Sequence, residues 1–264
     1  MCELLGMCSS RPADLCFSWR NFLLRGGDDG PHRDGFGIGF YKSDGYCAFR
    51  DTEAAATSPL AAHLGETPIA SSLALGHIRQ ANEGAVEKRN TYPFDRSLSG
   101  RCWSFVMQGQ LARFDALTLS GAFVPSGTTD GERAFCWLLD RLQKAPADLT
   151  PDEVCALLKQ HCDRLARRGV FNILISDGEV LYAYCTSSLY WLSRTAPFGS
   201  VGSVDSGECL DLSHCCRPGD CHTLLATRPL TAESGWQALH PGEVIGFRAG
   251  RRCTGCHTHE VDPL

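Results

Sequence analysis

The order of patterns along this chain predicts an α+β fold: two antiparallel sheets with helices packed outside them. Three observations lead there. Strand-like segments come as hairpins with turn chemistry between them, as at Asp177-Gly178 between residues 170–176 and 179–186. Two helical segments stand side by side in the middle of the chain, and strands do not alternate with helices, which argues against a doubly wound parallel sheet. Hairpins then resume toward the C-terminus. No internal repeat, low-complexity run or linker divides the 264 residues. They read as one domain, 1–264, with about 250–264 as a loose polar tail.

Taken in order, residues 17–24 (FSWRNFLL) read as a short helix, followed by the loop Arg25-Gly26-Gly27-Asp28-Asp29-Gly30. Residues 35–41 read as a strand whose glycines, Gly35, Gly37 and Gly39, call for another backbone or a ligand close by. Ser43-Asp44-Gly45 turns it into a second strand at 46–50. Ser58 and Pro59 have the chemistry of an N-cap and a first helical position for a short helix at 60–64. Residues 72–78 and 103–107 read as buried strands. A helix at 131–144 carries Ala134, Phe135, Leu138, Leu139 and Leu142 on one face. The next helix opens on Thr150 as N-cap, Pro151 as first residue and Glu153 to complete a capping box. Its apolar stripe is Val154, Leu157, Leu158, Cys162 and Leu165, and Gly169 ends it. After the 170–186 hairpin come shorter strands near 190–194, 222–227 and 243–248.

Composition narrows the function. Hydrophobic residues are 43% and charged residues 21%, an ordinary globular balance. A net charge of −5 offers no basic face for nucleic acid. No apolar run approaches the roughly 18 residues of a membrane helix, and the N-terminus lacks the basic-then-apolar pattern of a signal peptide. Neither nucleic acid nor membrane is an expected partner, and the cytoplasm is the expected compartment. Without a secretion signal, the fifteen cysteines read as reduced thiols filling core space. Cys253-Thr254-Gly255-Cys256-His257 matches the haem-attachment spacing C-x-x-C-H, and His214, Cys215, Cys216, Cys221, His222 and His259 add metal-capable side chains. Haem attachment requires export, and short motifs match by chance, so no metal and no cofactor is expected.

Cys2 follows the initiator Met1. A small residue at position 2 permits removal of Met1, leaving a thiol and a free α-amine on one residue. That amine has a reference pKa of about 7.7–8.0, so it can take the thiol proton with no histidine partner. Position alone fits a buried strand cysteine as well. More weight comes from Met1-Cys2-Glu3-Leu4-Leu5-Gly6, Arg25-Gly26 with Asp34-Gly35-Phe36-Gly37-Ile38, Gly76-His77-Ile78-Arg79-Gln80-Ala81-Asn82, Gln108-Gly109-Gln110-Leu111 and Gly127-Thr128-Thr129-Asp130, in that order.

This set resembles the class II glutamine amidotransferases, which are N-terminal-nucleophile (Ntn) hydrolases, and looks most like their stand-alone bacterial group without a synthase domain. The resemblance runs from residue 1 to about residue 250. It implies a four-layer αββα sandwich. It implies that Cys2 attacks the side-chain amide of glutamine to form a γ-glutamyl thioester, with its own amine shuttling the proton to ammonia. Arg79 would bind the α-carboxylate and Asp130 the α-ammonium. Arg25 would help position the catalytic N-terminus. A planar guanidinium meets a carboxylate bidentately, and a carboxylate suits an ammonium. Such a pair reads a free amino-acid head group and rejects a peptide-bonded one, which would leave buried charges unpaired. Structural alternatives are a surface ion pair for Arg79 and a helix N-terminus for Asp130.

The chain departs from the family near one pocket. Gln108-Gly109 stands where the family has Asn-Gly, whose side-chain amide and glycine N–H form the oxyanion hole; Met107 and Tyr92 stand where the stand-alone group has histidines. Gln108 keeps the amide and adds a methylene. The expected catalytic set is therefore Cys2, Gln108 and Gly109, with Arg79 and Asp130 binding substrate. The expected partners are glutamine or another γ-glutamyl small molecule, and a separate ammonia-accepting synthase chain. Alternatives are a hydrolase of another γ-glutamyl compound in thiol metabolism, a catalytically impaired amino-acid-binding protein, and a Cys2 amidase like the bile-salt and penicillin acylases. The last would have no use for the Arg79/Asp130 pair.

Overall fold

The computed structural model describes residues 2–27 and 30–256. Met1, Asp28, Asp29 and residues 257–264, with His257, His259 and most of the expected tail, lie outside the described residues. In chain order the elements are β1 (Glu3–Asp14), α1 (Cys16–Leu23), β2 (Phe36–Lys42), β3 (Gly45–Asp51), α2 (Pro59–Glu66), β4 (Ala70–Ile78), β5 (Phe94–Leu98) and β6 (Arg101–Leu111). Then come α3 (Asp130–Leu142), α4 (Pro151–Ala166), β7 (Gly169–Ser176), β8 (Leu181–Tyr184), β9 (Tyr190–Thr195), β10 (Ser200–Gly202), β11 (Cys209–Asp211), β12 (Cys221–Ala226), β13 (Gln237–Ala238), β14 (Val244–Arg248) and β15 (Arg251–Cys256).

One sheet runs β13-β9-β12-β1-β4-β2-β3 and the other β15-β14-β8-β7-β6-β5, while β10 and β11 pair apart from both. Neighbouring strands are antiparallel throughout. The sheets meet face to face: a Cβ on Gly6 would touch Leu174 and Leu181 of the opposite sheet. The other face of the first sheet, with Leu5, Met7, Phe36, Ile38 and Phe40, packs on Trp19 and Phe22 of α1 and Leu64 of α2. Phe105 and Ile175 pair in register on the face opposite Leu174, and Phe105 stacks on Phe135 of α3 at 5.0 Å. That alternation gives the αββα layering.

The helices begin where the side chains demand. Ser58 caps α2 by accepting from the Ala61 N–H at 3.3 Å. Thr150 and Glu153 form a reciprocal capping box on α4. Thr129 caps α3 by accepting from the Glu132 N–H at 3.2 Å, which makes Asp130 the first helical residue. β15 occupies the start of the segment expected to be loose, paired with β14 from Val244↔Cys256 to Arg248↔Arg251. Among the described residues no helix is long and apolar enough to cross a membrane.

None of the fifteen cysteines is in a disulfide. The two thiols of the C-x-x-C pattern go to different partners: Cys253 Sγ donates to the Gly246 carbonyl at 3.4 Å, and Cys256 lies 3.5 Å from Cys155 Sγ. Among the described residues no three metal-capable side chains gather at one point.

Candidate active site

Pairing between β1 and β4 brings the start of the chain to the end of the G-H-I-R segment. Glu3 pairs with Ile78, so Cys2 meets Arg79 and Gln80. Cys2 Sγ accepts from the Gln80 N–H and donates to the Gln80 carbonyl, each at 3.4 Å. Burial pushes the thiol pKa up, against the opposing pull of the Gln80 hydrogen bond and the Arg79 charge. The resting sulfur is therefore a thiol, which becomes a nucleophile only when a base takes its proton.

Cys2 opens on a narrow cleft of about 20 Å³, lined by Cys2, Arg79, Gln80, Asn82, Glu83, Tyr92, Met107, Gly109, Gln110, Thr129 and Asp130. Arg79 is 2% exposed. Its Nη2 donates to the carbonyls of Glu83 at 3.1 Å and Gly84 at 3.0 Å. Its Nη1 is buried with no partner. A guanidinium nitrogen in that state is costly unless an anion arrives to use it. Asp130 faces the same cleft, one oxygen accepting from the Leu111 N–H at 2.8 Å and the other from the Gly131 N–H at 2.9 Å. Burial raises its pKa, the two backbone hydrogen bonds lower it, and nearby Glu83 raises it again. The surface-pair reading of Arg79 fails on its burial. The helix-terminus reading of Asp130 holds alongside its place in the cleft.

Gly109 belongs here for a steric reason. Its φ is +144°, and a Cβ would drive into the Val170 carbonyl. Gln108, its neighbour in β6, is not among the residues lining the cleft. Its side-chain carbonyl accepts from Asn172 Nδ2 across the β6–β7 pair. The structure thus brings Cys2, Arg79, Gly109 and Asp130 together and ties Gln108 to Asn172 beside them.

Sequence reasoning treated Tyr92 and Met107 only as departures, yet both line the cleft. Tyr92 stacks on His77 at 4.3 Å. Burial, then the charge of Asp130, pushes its hydroxyl pKa up, while the Arg79 charge and a hydrogen bond with Thr129 pull the other way. His77 donates from Nε2 to the Met107 carbonyl at 3.0 Å, and burial takes its pKa down to about 3, so it is a neutral strut. Glu83 was missed because a lone glutamate in a loop gives no signal.

Under the cleft lies a buried ion network. Arg25, 1% exposed, donates to Glu3 at 3.3 Å, to both oxygens of Asp205 and to the carbonyls of Arg228 and Pro229. Glu3 also accepts from Thr227 at 2.6 Å and Arg228 at 3.1 Å. Arg25 therefore fixes the residue next to Cys2, and it needs Asp205, some 180 residues away in sequence, to do so.

Comparison with known proteins places the chain in a family. The sequence model described as "Glutamine amidotransferases class-II" matches residues 1–263. The chain is 44% identical over 256 residues to the protein named "Putative glutamine amidotransferase YafJ" of Escherichia coli (strain K12), covering 96% of this chain and 99% of that one. It is 35% identical to a Haemophilus influenzae protein of the same description, covering 96% and 86%. Among solved structures, the "predicted glutamine amidotransferase" of Pseudomonas aeruginosa PA01 superposes with a TM-score of 0.73 at 37% identity, covering 95% of this chain and 98% of that one. The phosphoribosylpyrophosphate amidotransferase of B. subtilis superposes at 0.63 with 14% identity, covering 98% of this chain and 49% of that one, a likeness of fold alone. With the family model spanning nearly all of the sequence and relatives this similar over most of their lengths, the chain belongs to the class II glutamine amidotransferases.

Proposed function

We propose that this chain hydrolyses the γ-amide of glutamine through a thioester on Cys2 once Met1 has been removed. The observation that carries the reading is the unpartnered, buried Nη1 of Arg79 in one cleft with Asp130 and Cys2. A free α-amino acid supplies the missing carboxylate to Arg79 and its ammonium to Asp130. That sets the side-chain amide toward Cys2. The freed α-amine takes the thiol proton, and sulfur attacks the amide carbon. The Gly109 N–H and the NH2 of Gln108 receive the developing oxyanion. The amine then passes its proton to the leaving nitrogen, ammonia departs, and water cleaves the thioester to release glutamate. A neutral resting thiol is what such a proton shuttle requires. The ammonia goes to water or to a separate synthase chain, in the cytoplasm. The cleft holds one amino-acid head group as well on another γ-glutamyl compound as on glutamine, so donors of that class compete for it.

The test is intact and N-terminal peptide mass after incubation with a diazo-ketone analogue of glutamine. Loss of Met1 and a single adduct on Cys2, absent from Cys2→Ala, is the expected result. A processed chain that stays unlabelled would sink the reading.

A further inference from the structure

The cleft at Cys2 is not the roomiest space in this fold. A cavity of about 520 Å³ opens at the far end of β1, within the range of small-molecule sites. It exists because β1 leaves its partner: between the pairs Cys8↔Leu73 and Ala13↔Ser71, four residues of β1 stand against one of β4. Residues 9–12 swing out, and the gap between them, the first turns of α1 and the 198–222 excursion forms the cavity.

Its lining mixes two chemistries. Phe17, Phe198, Leu210 and Leu212 are apolar, and Arg11, Arg20 and Arg194 stand among the carboxylates Asp14 and Asp220, with Glu208 and Glu233 paired to Arg20 and Arg194. Each arginine is held on one side only: Arg11 by Asp220 and the Cys215 carbonyl, Arg20 by Glu208, Arg194 by Glu233 and Thr231. Among the described residues, the Nη1 of each has no partner. Each guanidinium thus keeps a donor to spare, and Arg194, at 11% exposure, is the one held most firmly, which cuts its ordering cost for binding an anion. Ser9 Oγ and His222 Nδ1, 2.6 Å apart, also line it.

A physical link joins the cavity to Cys2. The β10–β11 hairpin contributes Val201 and Leu210 to the cavity. Its turn carries Asp205, which holds Arg25, which in turn holds Glu3. Glu208 and Ser206 of the same hairpin anchor on Arg20 and Asn21 of α1. We propose that this cavity binds a small organic anion with a flat apolar body, and that its occupancy is felt at Cys2 through the Asp205–Arg25–Glu3 chain. The second half rests on the reading of Cys2 as the nucleophile.

The test uses two fluorescent probes with the same aromatic body on the full-length protein: 8-anilinonaphthalene-1-sulfonate, and N-phenyl-1-naphthylamine, which lacks the charge. Saturable binding of the sulfonate, about tenfold or more tighter than the neutral amine, is expected. Leu210→Trp, which pushes a larger side chain into the cavity's lining, and Phe198→Ala, which removes an aromatic ring from it at a half-buried site, should each weaken it by about tenfold. Binding that is absent, indifferent to charge, or unchanged in both variants overturns the site. Saturating sulfonate should also change the rate of Cys2 labelling by the diazo-ketone by about threefold or more in the wild type and not in Leu210→Trp. Saturable binding with an unchanged labelling rate overturns the coupling alone. No labelling with or without sulfonate overturns the proposed role of Cys2, and the coupling with it, while the binding result stands by itself.

Discussion

Asn172 decides which end of the Gln108 amide is free. Its Oδ1 accepts from the Thr186 N–H at 2.7 Å and the Ser187 N–H at 3.1 Å. Only an oxygen can accept from two backbone donors, so Nδ2 must face Gln108, and Gln108 must answer with its carbonyl. The NH2 of Gln108 is then the end left over, and the proposed mechanism assigns it to the oxyanion. Asn172→Asp keeps both acceptors and removes the donor, so the Gln108 amide turns its NH2 to the new carboxylate. Turnover should fall by about 10²–10³ with KM within about threefold and the fold intact; full turnover would remove Gln108 from the oxyanion hole. Asp130 gives a second prediction, with a sign. Burial raises its pKa above 3.8, and only its anion holds an ammonium. Glutamine affinity, measured by calorimetry on Cys2→Ala, should fall as pH drops, the loss setting in above 3.8, and Asp130→Asn should be weak at every pH. Stability of the unliganded protein runs the other way. The folded carboxyl binds its proton more tightly than the unfolded one, so stability falls as pH rises from 3.8 through the raised pKa. An affinity with no acid limb above that value would place the ammonium elsewhere.

At the scale of elements, two positions of similar structural weight separate stability from chemistry. Thr150→Ala removes the capping box of α4 and should cost about 1 kcal/mol with turnover unchanged. Gly109→Ala forces a side chain onto a φ of +144° against the Val170 carbonyl. It should cost about 1–3 kcal/mol and turnover as well, because Gly109 lines the cleft with Cys2 and the proposed mechanism uses its N–H. Urea unfolding and glutaminase rates on the same two proteins check this; a fully active Gly109→Ala would remove that N–H from the mechanism. The same contrast shows what the sequence made legible. Thr150-Pro151 and Glu153 announce α4 because capping is local chemistry, and Ser58-Pro59 announces α2 for the same reason. β1 was legible only as a motif: Leu4, Leu5, Met7 and Cys8 are apolar on both faces, because both faces are covered, so no period-two alternation marks it. β5 (FDRSL) hides its pattern behind Asp95 and Arg96, as an edge strand does. β10, β11 and β13 have two or three residues each, below what any period can reveal.

At the scale of the whole molecule, the site is a product of long-range closure. Cys2, Arg79 and Asp130 come from three elements, and the Arg25–Asp205 contact that holds Glu3 spans most of the chain. The separate motifs that supply Cys2, Arg79, Gly109 and Asp130 to the cleft were readable one by one. Their support by Asn172, Asp205 and Thr227 was not, because a buried partner reveals itself only when strand register brings it in. It follows that the chain start should contribute little to folding and everything to chemistry. The sheet pairing that sets the cleft begins at Glu3↔Ile78, and Cys2 reaches only as far as Gln80. A protein carrying a cleavable extension before Cys2 should therefore fold with a melting temperature within about 2 °C of the mature one, well under the shift of a lost core contact. It should show no glutaminase activity until a protease exposes Cys2 as the first residue, because the proposed mechanism takes the thiol proton with the amine that the extension occupies. C-terminal extension should leave activity intact. Equal activity before and after cleavage would mean that some other group takes the proton, with no free amine required at Cys2.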